Sequence, residues 1–143
     1  MSKIPVMLQI KGAQKYQGQD PEIIELTTEG TMERQKEVWE IAYEESDLTG
    51  LDGVTTAFRV GPRGVILKRT GKLENQMIFM EGRRHESLYR IDIGALMIAV
   101  KATKVRSAVT EQGGSVDIHY HIEIEDTAMG TVEYHVQIQP LAT

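Results

Sequence analysis

The chain has 143 residues, a hydrophobic fraction of 41%, a charged fraction of 26% and a formal net charge of −5. These values are typical of one globular domain with a sizeable core, so we predict a single domain over residues 1–143. The lack of cysteine excludes a disulfide framework and a thiol nucleophile, and it fits a reducing cytoplasm. The longest uncharged apolar run, residues 94–100, is too short to span a bilayer, so we predict a cytoplasmic protein with no membrane partner.

The charges are distributed unevenly. Residues 1–58 carry 5 Lys or Arg and 11 Asp or Glu, residues 59–106 carry 11 and 4, and residues 107–143 carry none and 6. This basic middle block fits either pairing with acidic strands of the same chain or a face for an anionic partner. We favour pairing within the protein, because acidic flanks repel a polyanion, and nucleic acid is therefore the less favoured partner.

The first half of the chain alternates apolar and polar residues in short runs separated by turns. These runs predict four strands, at residues 4–15, 22–32, 54–60 and 65–70. Residues 33–45 are different, because they are rich in helix formers. Trp39, Ile41 and Tyr43 nevertheless alternate with polar residues there, so helix and strand stay open for this segment.

The second half shows the same alternation. It predicts five strands, at residues 76–81, 83–91, 95–109, 116–125 and 131–139. With the segment at 33–45 this makes ten candidates, all joined by connections that are too short for parallel crossovers. The pattern predicts an antiparallel, meandering all-β barrel or sandwich.

The last two runs predict a long hairpin with a five-residue loop at residues 126–130. This loop pairs Tyr120 with Val136 and places all apolar side chains of the hairpin on one face. On the other face it places His121 opposite His135.

Short motifs occur in a fixed order along nearly the whole chain, after an N-terminal pair of strands. They are Thr56-Ala-Phe58, Leu67-Lys-Arg-Thr-Gly71, Phe79-Met-Glu-Gly82, Tyr89 followed by Gly94-Ala-Leu96, Lys101-Ala-Thr103, and Gly113-Gly114 before Ile118-His-Tyr120. In this order they resemble the YwiB-like family of Gram-positive bacteria, which is grouped with the calycin β-barrels. The resemblance implies a closed antiparallel calycin- or lipocalin-like meander barrel of about 8–10 strands, with residues 36–45 as a strand. It brings no catalytic residue, and the small apolar ligands of other calycins are an analogy of fold.

The opposed His121 and His135 are the candidates for a metal site. Opposed side chains in a sheet are about 5 Å apart at Cβ, so two imidazoles and a carboxylate could share a divalent ion. A solvated outer face with alternating polar residues explains the pattern with fewer requirements. We therefore predict no metal and no cofactor.

The strand at residues 65–70 carries a cation on each face, because Lys68 and Arg69 are adjacent. Whichever face turns inward, one cation lies toward the interior near the strand end, where it can meet a carboxylate or phosphate. The alternative is a long side chain that covers apolar surface and reaches water. The aromatic residues predicted to line such a site, or to fill the core, are Trp39, Tyr43, Tyr120 and Tyr134.

Two functions fit these observations. The first is binding of a small amphipathic or anionic ligand inside the barrel, and the alternative is a non-enzymatic protein- or RNA-interaction module that uses the outer strands or the basic block. A cavity above roughly 300 Å³ favours the first, and an interior filled by side chains favours the second. No sequence motif supports an enzyme, and the oligomeric state stays open, a homodimer included.

Overall fold

Alternating apolar and polar residues place nearly the whole chain in extended strands, as a side-chain period of two requires. The computed structural model describes residues 3–46, 50–91 and 94–141. These residues form ten β-strands and no helix, so none of their segments is a helix able to cross a membrane. The strands are β1 (Ile4–Tyr16), β2 (Glu22–Gln35), β3 (Val38–Glu44), β4 (Val54–Gly61), β5 (Gly64–Gly71), β6 (Asn75–Phe79), β7 (Arg84–Ile91), β8 (Gly94–Thr110), β9 (Gly113–Ile124) and β10 (Thr127–Pro140).

The strands follow one another around a nearly closed antiparallel barrel. Their hydrogen-bonded order is β6-β5-β4-β3-β2-β1-β10-β9-β8-β7, so β1 pairs with β10 and the seam lies between β6 and β7. One isolated bridge crosses this seam in the described part of the chain, between Glu74 and Arg90. Its two backbone hydrogen bonds have N···O distances of 2.9 and 3.4 Å. The predicted all-β meander barrel is confirmed.

Large apolar side chains fill the inner face of this barrel. Inward side chains that are less than 2% exposed include Leu8, Met32, Ile41, Phe58 and Phe79. Aromatic rings also meet across the interior, with centroid distances of 6.0 Å between Phe58 and Tyr134 and 4.6 Å between Phe79 and Tyr120. Tilted rings at these distances add to the stabilisation from apolar burial.

The segment at residues 33–45, whose sequence fits both helix and strand, forms part of a β-hairpin. Residues 33–35 end β2, Lys36 and Glu37 form the turn, and residues 38–44 form β3. Lys36 has a φ of 60°, a left-handed conformation suited to a tight turn between two strands. Met32 pairs with Ile41, and both are fully buried, so tertiary packing outweighs the local helix propensity.

The predicted register of the last hairpin is wrong by four residues. The connection is the two-residue turn Glu125–Asp126, with φ of 50° and 65°, and the register shifts again between Ala128 and Gly130. Two left-handed residues are typical of the tight turn that joins twisted strands. Tyr120 therefore pairs with Val132. An even shift keeps the same residues on the inner face, so the predicted burial pattern holds although the partners differ.

Candidate functional site

Polar side chains form a row on the inner face of four neighbouring strands. Tyr43 on β3 pairs with Thr56 on β4, Thr56 with Arg69 on β5, and Arg69 with Asn75 on β6. Directly paired residues of an antiparallel sheet have Cβ atoms about 5 Å apart. We call these four residues the polar row.

Strand alternation explains why Arg69 is part of this row. Val65 and Leu67 are each 1% exposed on the inner face of β5, and Arg69 is the next residue in that series. Lys68 points the other way and is exposed. Of the two cations that the sequence singles out, Arg69 is therefore the one turned toward the interior.

The guanidinium of Arg69 is incompletely paired. Its Nε is buried and has no hydrogen-bond partner among the described residues. Burial lowers the pKa of Arg69, but the neighbouring Tyr134, Tyr43 and Glu45 outweigh it and raise that pKa overall. Arg69 is therefore a permanent, half-buried cation with one buried, unused donor, which favours an anionic acceptor.

Glu45 supplies the negative charge beside the row. It follows β3, is 7% exposed, and its Oε2 accepts a hydrogen bond of 2.5 Å from the Thr56 hydroxyl. Burial, and after it the charges of Tyr134 and Glu45, raise the pKa of Tyr43. Tyr43 is thus a neutral phenol at physiological pH, a hydrogen-bonding group rather than a base.

Asn75 is the other unusual member of the row. It is 7% exposed, and neither its Oδ1 nor its Nδ2 has a hydrogen-bond partner among the described residues. Buried amides are normally paired, so two unpaired atoms beside the unpaired Arg69 Nε form a local concentration of unused polar capacity.

A small cavity of about 60 Å³ opens beside Arg69. Its lining combines apolar and polar side chains from five strands and one loop: Ile10, Gly12, Gln14, Ile24, Leu26, Tyr43, Glu45, Leu51, Arg69, Val132 and Tyr134. Gly12 contributes space, because a Cβ there would meet only the Tyr134 ring, at 3.9 Å. The volume suits a carboxylate or phosphate group or a few waters.

The predicted aromatic residues do not form one site. Tyr43 and Tyr134 line the cavity, and Tyr120 is buried in the core outside it, where burial raises its pKa. Trp39 lies four residues before Tyr43 on β3, about 13 Å away along the strand, and lines a different cleft. It therefore does not share the environment of Arg69.

Several further residues of the site were not predicted, Asn75, Glu45 and Gly12 among them. Asn75 alternates with the buried Met77 and Phe79, so strand patterning alone would have turned it inward. Glu45 and Gly12 become part of the site through the pairing of distant strands. No local pattern in the sequence indicates that proximity.

The histidines do not meet as predicted. His121 pairs with Thr131, and His135 pairs with Asp117, whose Oδ1 lies 2.6 Å from the His135 Nδ1. His119 and Glu133 pair in the same way, at 3.7 Å. No group of three or more candidate metal ligands occurs in the described residues.

Several members of the basic block pair with carboxylates across strands. Arg59 lies 3.8 Å from Glu40 on the neighbouring strand, and Arg84 on β7 lies 2.9 Å from Glu123 on β9. These pairs agree with the interpretation that basic and acidic strands complement each other.

Comparisons with known proteins agree with this architecture. A family model described as a domain of unknown function, DUF1934, matches residues 8–136. The uncharacterized β-barrel protein YwiB of Bacillus subtilis (strain 168) is 27% identical over 123 residues, which are 85% of this chain and 84% of that protein. The crystal structure of the ywiB protein from Bacillus subtilis superposes with a TM-score of 0.81 at 20% identity, covering 94% of this chain and 92% of that one. This structural similarity shows a shared fold.

Proposed function

The chain belongs to the DUF1934 family, and we propose that it binds the anionic end of a small amphipathic ligand at Arg69. The observation that supports this most is the unpaired, buried Nε of Arg69 beside the unpaired amide of Asn75. A carboxylate or phosphate oxygen in the adjoining cavity would accept from the Arg69 guanidinium. Such a ligand would satisfy a donor that the described protein leaves unused.

The cavity size limits how such a ligand binds. At about 60 Å³ it is far below the roughly 300 Å³ of ordinary small-molecule pockets, so it admits the charged group and not a whole ligand. The apolar part would lie at the cavity opening along Ile24, which is 40% exposed, and along Leu26 and Leu51. Each Å² of apolar surface buried there contributes about 25 cal/mol, before the cost of association is subtracted.

The test is calorimetric titration with a panel of medium-chain fatty acids and alkyl phosphates. Arg69→Met keeps much of the apolar stem and removes the charge, and Lys68→Met, on the outer face of the same strand, is the matched control. We expect at least a tenfold loss of affinity in the first variant, about 1.4 kcal/mol, and none in the second. Equal affinity of the two variants would refute the proposal.

A second variant tests the cavity itself. Gly12→Leu places a side chain in the cavity next to Tyr134, and Gly12 does not adopt a left-handed backbone conformation. We expect it to weaken binding of every ligand on the panel. Unchanged affinity would place the ligand elsewhere on the protein.

The packed interior also favours the second candidate function, an interaction module. Side chains fill the barrel around Phe58 and Phe79, and the cavity is small. A protein or RNA partner would then use the outer strands or the exposed cations of the basic block, such as Lys101 and Lys104. A panel without any binding would favour this candidate.

We extend the proposal to the structural class and the cellular location of the protein. A calycin-like barrel is supported by the consecutive strand order around the barrel and by the motif order along the chain. A cytoplasmic, non-enzymatic protein is supported by a sequence with neither cysteine nor a recognisable nucleophile motif. Light scattering of the purified protein would establish its oligomeric state.

A further inference from the structure

The last part of β8 lacks a strand on one side within the described residues. β7 pairs with β8 only along residues 94–101. Beyond that point, β8 continues to Thr110 and pairs with β9 alone. This leaves a free backbone edge in an otherwise nearly closed barrel.

Hydrogen-bond directions identify which groups are free. The N–H of Val105 donates to Oε1 of Glu81, and the carbonyl oxygen of Val105 accepts from the Arg106 guanidinium, so both backbone groups of Val105 point away from β9. Backbone groups alternate in direction along a strand, so the N–H and C=O of Ser107 and Val109 point the same way.

The first residues of this edge, near Ala102 and Val105, already have hydrogen-bond partners. Glu81 and Arg106 form an ion pair that caps Val105, and the backbone N–H of Gly82 donates to Ala102 at 2.8 Å. Charged side chains that occupy an edge prevent strand addition. No side chain of the described residues caps the backbone of Ser107 or Val109 in this way. The unprotected part of the edge is therefore residues 107–110.

This unprotected edge forms one wall of a cleft of about 540 Å³. The opposite wall contains the half-buried Trp39 and the β4–β5 turn at Gly61 and Pro62. A neighbouring cleft of about 460 Å³ shares Trp39 and Val109 with it. Both are open clefts at the protein surface rather than enclosed pockets.

We propose that this cleft binds an extended peptide segment, which adds a short strand to β8 at residues 107–110 and places an apolar side chain against Trp39. Strand addition obtains affinity from backbone hydrogen bonds and specificity from alternate side chains. A second copy of the chain fits less well, because four edge residues bury far less than the 1,200 Å² or so of stable interfaces. The proposal is independent of the Arg69 site and supplies a surface for the interaction-module candidate.

The experiment uses the full-length protein and a blocked seven-residue peptide of alternating valine and threonine. Two derivatives carry N-methyl groups on the valines or on the threonines. Alternate N–H groups of a strand point to opposite edges, so only one set pairs with β8. By calorimetry, we expect one derivative to lose at least about tenfold in affinity and the other to bind like the parent peptide.

Two protein variants provide a second test of the same proposal. Val109→Pro removes an N–H that β9 does not use, and Val109→Ala keeps it. We expect peptide binding to be lost in the first and retained in the second, with circular dichroism confirming the fold of both. The methylated peptides need only the unaltered protein, so they remain decisive if the proline variant does not fold.

Three results would overturn the proposal. One is no saturable binding of the parent peptide, and another is equal binding of the two methylated derivatives. The third is a concentration-dependent dimer, detected by light scattering and abolished by Val109→Pro, which would assign the edge to a second copy of the chain.

Discussion

Replacing Asn75 by leucine should stabilise the ligand-free protein. The side chain is 7% exposed and has two polar atoms without partners among the described residues. In protein mutational data, burial of an unpaired amide costs about 1–3 kcal/mol, and a leucine of similar shape removes this cost. Leu73 and Met77, next to it on the same face, are already buried and apolar.

The expected gain is measurable by thermal unfolding. For domains near this size, 1 kcal/mol corresponds to about 3 °C in Tm, so Asn75→Leu should melt about 3–9 °C higher. Gln76→Leu, on the exposed outer face of the same strand, is the control and should stay within about 0.5 kcal/mol of the parent. Urea unfolding gives the free-energy difference independently.

A lower Tm for Asn75→Leu would refute this reasoning, because it would mean that the amide is well paired in solution. The proposed function adds a second requirement for the same variant. If Asn75 helps Arg69 to hold an anion, the stabilised variant should bind the fatty-acid and alkyl-phosphate panel more weakly than the parent. Higher stability with unchanged binding would confine the role of Asn75 to the ligand-free fold.

Three further measurements test other parts of the structure. Gly114→Ala should cost at least about 2 kcal/mol in urea unfolding, because φ is 146° and the new Cβ would lie 1.7 Å from the Ala108 carbonyl oxygen. A hydrogen bond from a β8 backbone N–H, and after it the Arg106 guanidinium, lower the pKa of Glu81. Its contribution to stability is therefore present above the ordinary carboxyl range and lost at low pH, so the Tm advantage over Glu81→Gln should shrink between about pH 7 and pH 3. Zinc should leave Tm unchanged, because His121 and His135 have different partners, whereas a metal at 100 times its Kd would add about 2.7 kcal/mol.

The sequence predicted which side of each strand is buried, but not all strand partners. The side of a strand that is buried depends on the alternation of apolar and polar residues within that strand alone. The partners of Tyr120 and His121 depend on the turn, and the Glu125–Asp126 turn begins one residue before the predicted loop and is three residues shorter. Residues without glycine or proline gave no sign that two consecutive left-handed conformations occur there.

The candidate site was predictable in part for the same reason. Alternation on β5 put one of two adjacent cations inside, and the buried Val65 and Leu67 determine that it is Arg69. The contact of Arg69 with the environment of Glu45 depends on two successive strand registers, that of β3 with β4 and that of β4 with β5. An error in either register would have separated them, so sequence reasoning could not place them together.

Two features are unusual for a β-barrel: the polar row with its unpaired donors, and the free edge of β8. They lie near different residues of β3. Tyr43 belongs to the polar row, where buried donors are unpaired, and Trp39, about 13 Å earlier on the strand, faces the free edge of β8. Unpaired buried groups and unprotected edges both reduce stability or solubility. Local violations in an otherwise consistent sequence are expected at functional sites. Because the two sites share no lining residue, loss of binding at one should leave binding at the other intact. For the same reason, the changes in the free energy of unfolding caused by substitutions at Arg69 and Val109 should add in a double variant.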